Sequence, residues 1–310
     1  MAKYNPTLIK ERIYAEWGSL KHVDLNGTSP YSIPATDVRF LKLDKNKIKL
    51  KFVWEKGAKV SDLVKKYQSD YGFNASFFWN GNPIADCKIG DKVLSQGYDI
   101  IGGAQMTKWH GFAYKNGIPQ INQFNLNDNY GTDGFLFKTT QLLVSNGNLA
   151  YDWYASVEGT AKDIYKDAKG NMVRAQRTMI GIDANGDLLL SIADGRTVWD
   201  RGLTSEEQAL YLRSKGAVMA LNCDGGGSTV LADQTGSLGQ NKGSAERIVN
   251  HAVLIYLQDD LEPQRNKADL VDNQIRYMMS FVNGSGDGVE RWSLNYLEQV
   301  YDIMVSKGLL

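Results

Sequence analysis

The chain lacks the features by which most protein classes announce themselves. Of its 310 residues only Cys87 and Cys223 are cysteines, and neither their number nor their spacing suggests a disulfide framework or a zinc site, so two free thiols are expected. No stretch approaches the roughly eighteen apolar residues of a membrane span. The N-terminal segment MAKYNPTLIKERIYAEWG has neither an apolar h-region nor a cleavage pattern, so no signal peptide is read there. The expectation is synthesis in the cytoplasm, with another exit route needed for any work on a cell envelope. Nor does either charge dominate: Lys+Arg and Asp+Glu stand at 35 each, which argues against a general nucleic-acid or membrane-surface binder.

What is present points to a folded enzyme-sized domain. Hydrophobic residues make up 43% and charged residues 23%, enough for a full core. Sixteen Tyr and seven Trp suit either a carbohydrate-facing surface or the filling of a β-rich core. The expected fold is α+β, with twisted, mostly antiparallel or mixed sheets and a few flanking helices. Two domains are expected: a main one over 1–262 and a C-terminal helical hairpin over 263–310, suited to binding or homo-oligomerisation.

Along the chain, the spacing of Ile9, Ile13 and Trp17 predicts a helical lead-in over 1–30. Val38–Leu43 and Ile48–Trp54, separated by Asp44-Lys45-Asn46-Lys47, predict a β-hairpin. Phe40 and Leu41 spoil strict alternation in its first arm. Leu63, Val64, Tyr67 and Tyr71 predict a helix over 61–71 stopped by Gly72, followed by a strand from Phe73 to Trp79 and a turn at Asn80-Gly81-Asn82-Pro83. Asn-Gly or Lys-Gly turns at 115–117, 145–148, 168–171 and 184–187 read as hairpin tips. Residues 183–187 begin like a calcium loop but lack its sixth-position glycine and twelfth-position glutamate, so they too read as a turn. Thr204-Ser205-Glu206-Glu207 is a capping box opening a helix, and Val249–Leu257 is an apolar strand.

The chemistry gathers at residues 222–229, Asn222-Cys223-Asp224-Gly225-Gly226-Gly227-Ser228-Thr229, behind the apolar run 217–221. Consecutive glycines behind a strand cost backbone entropy. They persist where a ligand approaches the main chain or where peptide N–H groups must converge. No Gly-Lys-Ser/Thr follows, so this is not a phosphate loop, and Ser228 has no recognisable His and Asp partners for a triad. Three other segments carry polar groups: Asn74-Ala75-Ser76-Phe77-Phe78, Arg177-Thr178, and Asp194-Gly195-Arg196. Glu246-Arg247-Ile248-Val249-Asn250-His251 follows the glycines.

In this order, over residues 70–257, these pieces resemble the phosphodiester glycosidase family. Ala75-Ser76 stand where that family has glycines, and Cys223 where it has Leu. The resemblance implies hydrolysis of a sugar-1-phosphodiester, such as a glycosyl phosphate of a cell-wall polymer. The layout also suits a phage-encoded lytic or wall-degrading enzyme. It implies phosphate held by Arg177 and Arg247, with Arg196 third. Asp224 is the leading carboxylate, with Glu246 or Asp194 in reserve and His110 or His251 as proton donor. The N–H groups of Gly225, Gly226, Gly227 and Ser228 would meet developing charge, and Asn74, Asn222, Thr229 and Phe78 complete the substrate-binding set. No cofactor is called for; Asp194 and Asp224 would suit a divalent cation, but no ligand spacing indicates one. The alternatives are an ordinary ion pair for each arginine and a ligand-free turn for the glycines. At the level of the whole chain, they are a non-catalytic module for a phosphorylated or nucleotide sugar, or a virion structural protein.

Overall fold

The computed structural model describes residues 3–16, 19–23, 35–97, 109–139, 141–150, 173–240 and 245–258, all in one compact unit, Lys3–Gln258. The expected C-terminal hairpin and the turn at 168–171 lie outside the described residues.

Three antiparallel sheets organise the unit. The largest has eight strands, in the order β14 (Asn148–Leu149), β13 (Leu142–Ser145), β17 (Ala217–Asn222), β15 (Arg177–Asp183), β16 (Leu188–Ala193), β3 (Ala35–Leu43), β1 (Ile9–Glu16), β2 (Ser19–Val23). A second runs β11 (Ile118–Asn122), β10 (Gly111–Lys115), β12 (Phe135–Lys138), β8 (Cys87–Ile89), β9 (Lys92–Ser95). The third runs β19 (Gly236–Gln240), β18 (Val230–Asp233), β5 (Tyr71–Phe73), β20 (His251–Leu257), β4 (Ile48–Trp54). A short hairpin, β6 (Phe78–Trp79) with β7 (Asn82–Pro83), stands apart. Among the described residues two α-helices flank the sheets, α1 (Val60–Tyr67) and α2 (Ser205–Ser214). Every strand pair among the described residues is antiparallel. The described fold is thus predominantly β rather than evenly α+β.

The central core lies among the inner faces of the three sheets: Leu41, Leu190 and Ile180 from the first, Phe112, Phe135 and Phe137 from the second, Phe52, Phe73 and Val253 from the third. Cys87 and Cys223 are buried free thiols in this core. The outer face of the large sheet carries Val38, Phe40, Met179 and Leu189 against Tyr211 and Leu212 of α2. The outer face of the third sheet packs Val53, Leu254 and Ala232 on α1. The adjacent pair Phe40-Leu41 is explained by this layering. β3 is buried on both faces, so one ring goes to α2 and the next side chain to the central core.

Four expectations fail for physical reasons. Residues 9–16 and 19–23 are strands, not a helical lead-in. A spacing of four fits period 2 as well as period 3.6, because i and i+4 also share a strand face. The runs 38–43 and 48–54 do not pair with each other: β3 joins β1 and β16, while β4 joins β20. The intervening Lys45–Lys47 is a 3-10 turn capped by Asp44, whose carboxylate accepts from the Asn46 N–H at 2.9 Å. It carries the chain around a corner between sheets. Helix α1 ends at Tyr67, where Gln68 turns left-handed (φ 53°). Gly72 is instead a strand residue packed so closely that a Cβ there would lie 2.5 Å from a Val64 methyl. The strand expected over 73–79 breaks after Phe73, and that break makes the site. The turns at 80–81, 116–117, 146–147 and 183–187 and the capping box of α2 form as read.

Candidate functional site

The C-terminal end of β17, the N-terminal end of β15 and the C-terminal end of β16 come out at one edge of the large sheet, as the antiparallel registers require. The C-terminal end of β5 and the N-terminal ends of β18 and β20 lie together in the third sheet. The glycine run bridges these edges. Cys223 N–H still donates to Thr178 O at 2.9 Å, but the next N–H, of Asp224, donates to Ala75 O at 2.9 Å beyond β5.

The three glycines answer to different demands. At Gly225 a Cβ would lie 2.8 Å from Gln176 O, so only glycine fits. Gly226 has φ +59° and opens a 3-10 turn, Gly226–Ser228, a conformation costly for other residues. At Gly227 a Cβ would meet nothing nearer than Arg247 Cδ at 3.8 Å. Neither crowding nor backbone angle demands glycine there, so the opening remains available to a ligand. Most of the expected N–H cradle is already used. Gly226 N–H donates to Gln176 O, Ser228 N–H to Gly225 O and Thr229 N–H to Gly226 O, while the Gly225 N–H faces the Asp224 carboxylate.

Charge collects around this run. The Asp224 carboxyl is pushed up to about 6 by desolvation, against the opposing pull of the Ser228 hydroxyl, the Arg247 charge and the Gly225 N–H. Arg247 Nη1 donates to Ser228 Oγ at 3.3 Å, and its guanidinium lies 5.5 Å from the centre of the Phe78 ring, a cation–π placement. The Arg196 guanidinium lies against Gly226, with Nη1 3.2 Å from where a Cβ would stand. Arg196 itself is left-handed (φ 57°). Arg196 and Arg247 are both exposed. Asp224, Ser228, Phe78 and two solvent-facing guanidinium groups therefore share one pocket edge.

The other sequence candidates sit close by but are committed elsewhere. Arg177 is buried: its Cδ passes 3.7 Å from the Cβ position of Gly225, yet Nε donates to Leu203 O and Nη2 to Val173 O. Asn74 is fully buried and joins the two sheets. Its Nδ2 donates to Asp224 O at 2.6 Å, and its Oδ1 accepts from Thr178 Oγ1 and Val230 N–H. Asn222 is buried, with its carbonyl taken by Thr139 Oγ1 at 2.7 Å. Thr229 is buried, and its Oγ1 has no hydrogen-bond partner among the described residues.

Glu246 binds the N-terminus of α1, accepting from Ser61 N–H at 3.0 Å and Ser61 Oγ at 2.5 Å. Lys59, at the N-cap position, makes no side-chain cap, so Glu246 supplies the missing acceptor from 185 residues away. His251 is fully buried. Its Nε2 accepts from Ala75 N–H at 3.0 Å while Nδ1 donates to Val249 O at 2.7 Å, and its ring stacks on Trp54. Burial pushes it down to about 4, so it is neutral at physiological pH with both nitrogens occupied. His110 is half-buried, its basicity lowered by burial and by Lys138.

Asp194 is buried and salt-bridged to Arg39 at 2.9 Å. It belongs to a second centre that sequence reading missed. Asp37, Asp194 and Asp200 bring carboxylate oxygens within 4.8 Å of one another. Cations already occupy the centre: Arg12 Nη1 lies 2.7 Å from Asp37 and 3.0 Å from the buried Asp200. A buried pair of Lys138 and Asp86, 2.7 Å apart, was missed too; the next residue, Thr139, bonds Asn222 O. No local spacing flags either centre: Asp194 and Asp200 share the segment after β16, but Arg12, Asp37 and Arg39 come from strands remote in sequence, as Asp86 is from Lys138. A separate surface cleft of about 400 Å³, lined by Tyr4, Asp70, Tyr71 and Asp233, lies at the opposite end of β5 and shares no residue with the glycine run.

Residues 71–256 match the model of the phosphodiester glycosidase family. A mouse N-acetylglucosamine-1-phosphodiester alpha-N-acetylglucosaminidase is 38% identical over 90 residues, 29% of this chain and 17% of the mouse protein. An uncharacterised SPbeta prophage-derived protein of Bacillus subtilis (strain 168), YomE, is 23% identical over 207 residues, 65% of this chain and 30% of the relative. The chain therefore matches less than a third of the length of either. In fold it is similar to the catalytic domain of the zebrafish N-acetylglucosamine-1-phosphodiester alpha-N-acetylglucosaminidase auto-inhibited by its pro-peptide. That structure superposes with TM-score 0.60 at 15% identity, covering 82% of this chain and 85% of the other. A hypothetical protein from Synechocystis superposes with TM-score 0.57 at 14% identity, covering 82% and 64%.

Proposed function

The chain belongs to the phosphodiester glycosidase family, and on that footing we propose that it hydrolyses the glycosidic bond of a sugar-1-phosphodiester at the glycine run. The observation that carries this reading is the meeting of Asp224, Ser228, Arg247 and Arg196 at Gly226–Gly227. The two exposed guanidinium groups hold the phosphodiester from either side, in charge-assisted contacts. Water adds to the anomeric carbon and the bond from that carbon to the phosphate oxygen breaks. The electron pair stays with the phosphate, which leaves as a monoester on the other alcohol. With Arg196 and Arg247 neutralising that charge, the leaving group needs no proton donor, which fits the neutral state of His251 with both ring nitrogens bonded.

Asp224, raised to about 6, is still ionised for the most part at pH 7. It serves as the carboxylate that takes the water proton or faces the cationic sugar transition state. The prophage-derived relative is in keeping with a phage context, for which a glycosyl-phosphate wall polymer is the substrate class we propose. A panel of sugar-1-phosphodiesters assayed for released reducing sugar tests the proposal. Product is expected from at least one and is lost in Asp224→Ala. Tight binding with no product under any condition would replace hydrolysis by simple sugar-phosphate recognition.

A further inference from the structure

Two tryptophans stand almost bare at the surface, Trp79 at 73% and Trp199 at 68% exposure, with Val198 at 79% beside the latter. Each sits on a turn fixed more firmly than an ordinary loop. Val198-Trp199 is the tip of a turn closed by Thr197 N–H to Asp200 O and by Asp200 N–H to Thr197 Oγ1. Asp200, fully buried, accepts from Arg12 and from the Asp37 N–H, and Arg12 Nη2 donates to Trp199 O at 2.6 Å. The buried ion centre thus anchors this one exposed aromatic tip. Trp79 lies on the β6–β7 hairpin, whose Asn80 and Gly81 are both left-handed. Trp54 Nε1 donates to Gly81 O at 3.0 Å and pins that turn.

Each turn adjoins one of the two arginines at the glycine run. Trp199 follows Arg196, whose guanidinium lies over Gly226; Trp79 follows Phe78, whose ring carries Arg247 beside Gly227. Holding large apolar faces rigidly in water gives the free protein nothing, and such exposed surface marks a binding site. Rigid aromatics beside each arginine of a cationic centre suit a ligand that joins apolar faces to an anionic link. Resting on the hydrolytic reading above, we propose that Trp79 and Trp199 are saccharide-stacking platforms flanking the phosphodiester. The substrate is then an extended anionic glycosyl-phosphate chain rather than a single sugar with a small aglycone.

Kinetics on two substrates decide this: the methyl phosphodiester of N-acetylglucosamine 1-phosphate, and a soluble polymer of glycosyl 1-phosphate repeats. Trp79→Ala and Trp199→Ala should each lower the ratio of kcat/KM for polymer over methyl diester about tenfold. Ile118→Ser, an exposed apolar change on the β10–β11 hairpin, should leave that ratio unmoved. Equal losses on both substrates, or no loss on either, would overturn the proposal. If wild type turns over neither substrate, the hydrolytic reading fails separately. Titration of the polymer against intrinsic tryptophan fluorescence then decides: quenching that disappears in the two variants supports the platforms, and absent quenching rejects them. Trp-dependent self-association that is indifferent to polymer would assign the same faces to a second copy and also reject it.

Discussion

Two clusters of carboxylates and arginines emerge at one edge of the eight-stranded sheet, and they are built on opposite plans. Around Asp200, Arg12 answers both Asp37 and Asp200, Arg39 answers Asp194, and the carboxylates of Asp194 and Asp200 are buried. Around Asp224, the nearest guanidinium groups face solvent and touch the carboxylate's partners rather than closing a pair with it. The first cluster is closed, with two guanidinium groups shared among three carboxylates. The second holds surplus positive charge for an anion to satisfy, and its carboxyl is raised for lack of solvation. A closed network of this kind organises structure; an open one binds.

Asp224→Asn should break the comparison most sharply, cutting sugar-1-phosphodiester hydrolysis more than about a thousandfold. In the wild type kcat/KM should rise with pH through about 6 as this group ionises. The same substitution should raise Tm at pH 7. The folded-state value lies above the ordinary 3.8, so the folded protein holds the extra proton between about pH 4 and 6. Stability from this group therefore falls as pH climbs through that window. Removing the charge should return about 1–2 kcal/mol at neutral pH.

Asp200→Ala should do the reverse, costing about 2–3 kcal/mol in denaturant unfolding, because Arg12 keeps Asp37 but loses its fully buried carboxylate and the Asp37 N–H loses its acceptor. A Tm unchanged in Asp200→Ala would mean that the closed cluster is not structural. Among the arginines, Arg196→Ala and Arg247→Ala should each lower kcat/KM about a hundredfold while leaving Tm within a few degrees. Arg177→Ala should destabilise by about 2–3 kcal/mol, because two main-chain carbonyls lose their donor. The smallest effect belongs to Glu246→Gln, about 1 kcal/mol from a weakened helix terminus with activity kept; a large loss of turnover there would return Glu246 to the catalytic set.

The glycine run, with Asp224, Arg196, Arg247 and Phe78 that the structure gathers around it, was legible as a candidate because the signals are local: a motif, a turn, a residue type beside a strand end. Sequence reading ranked Arg177 above Arg196, and there it had no purchase. Both are arginines next to a strand end, and only the packing of Leu203 and Val173 shows that Arg177 is already spent. Glu246 and His251 were candidates by chemistry alone. Their partners, Ser61 and Ala75, lie 185 and 176 residues away, beyond any spacing rule. The hairpin expected over 38–54 failed similarly, since pairing is settled by which sheet each strand completes.

Local sequence by itself determined the turns, the helix cap, the strand that feeds the glycines and the acid that follows it, because these depend on backbone angles and near neighbours. Only the tertiary structure decided which charges are closed and which are left open. That depends on burial and on contacts between strands remote in the chain, where the cost of leaving water, rather than residue type, assigns each group its role.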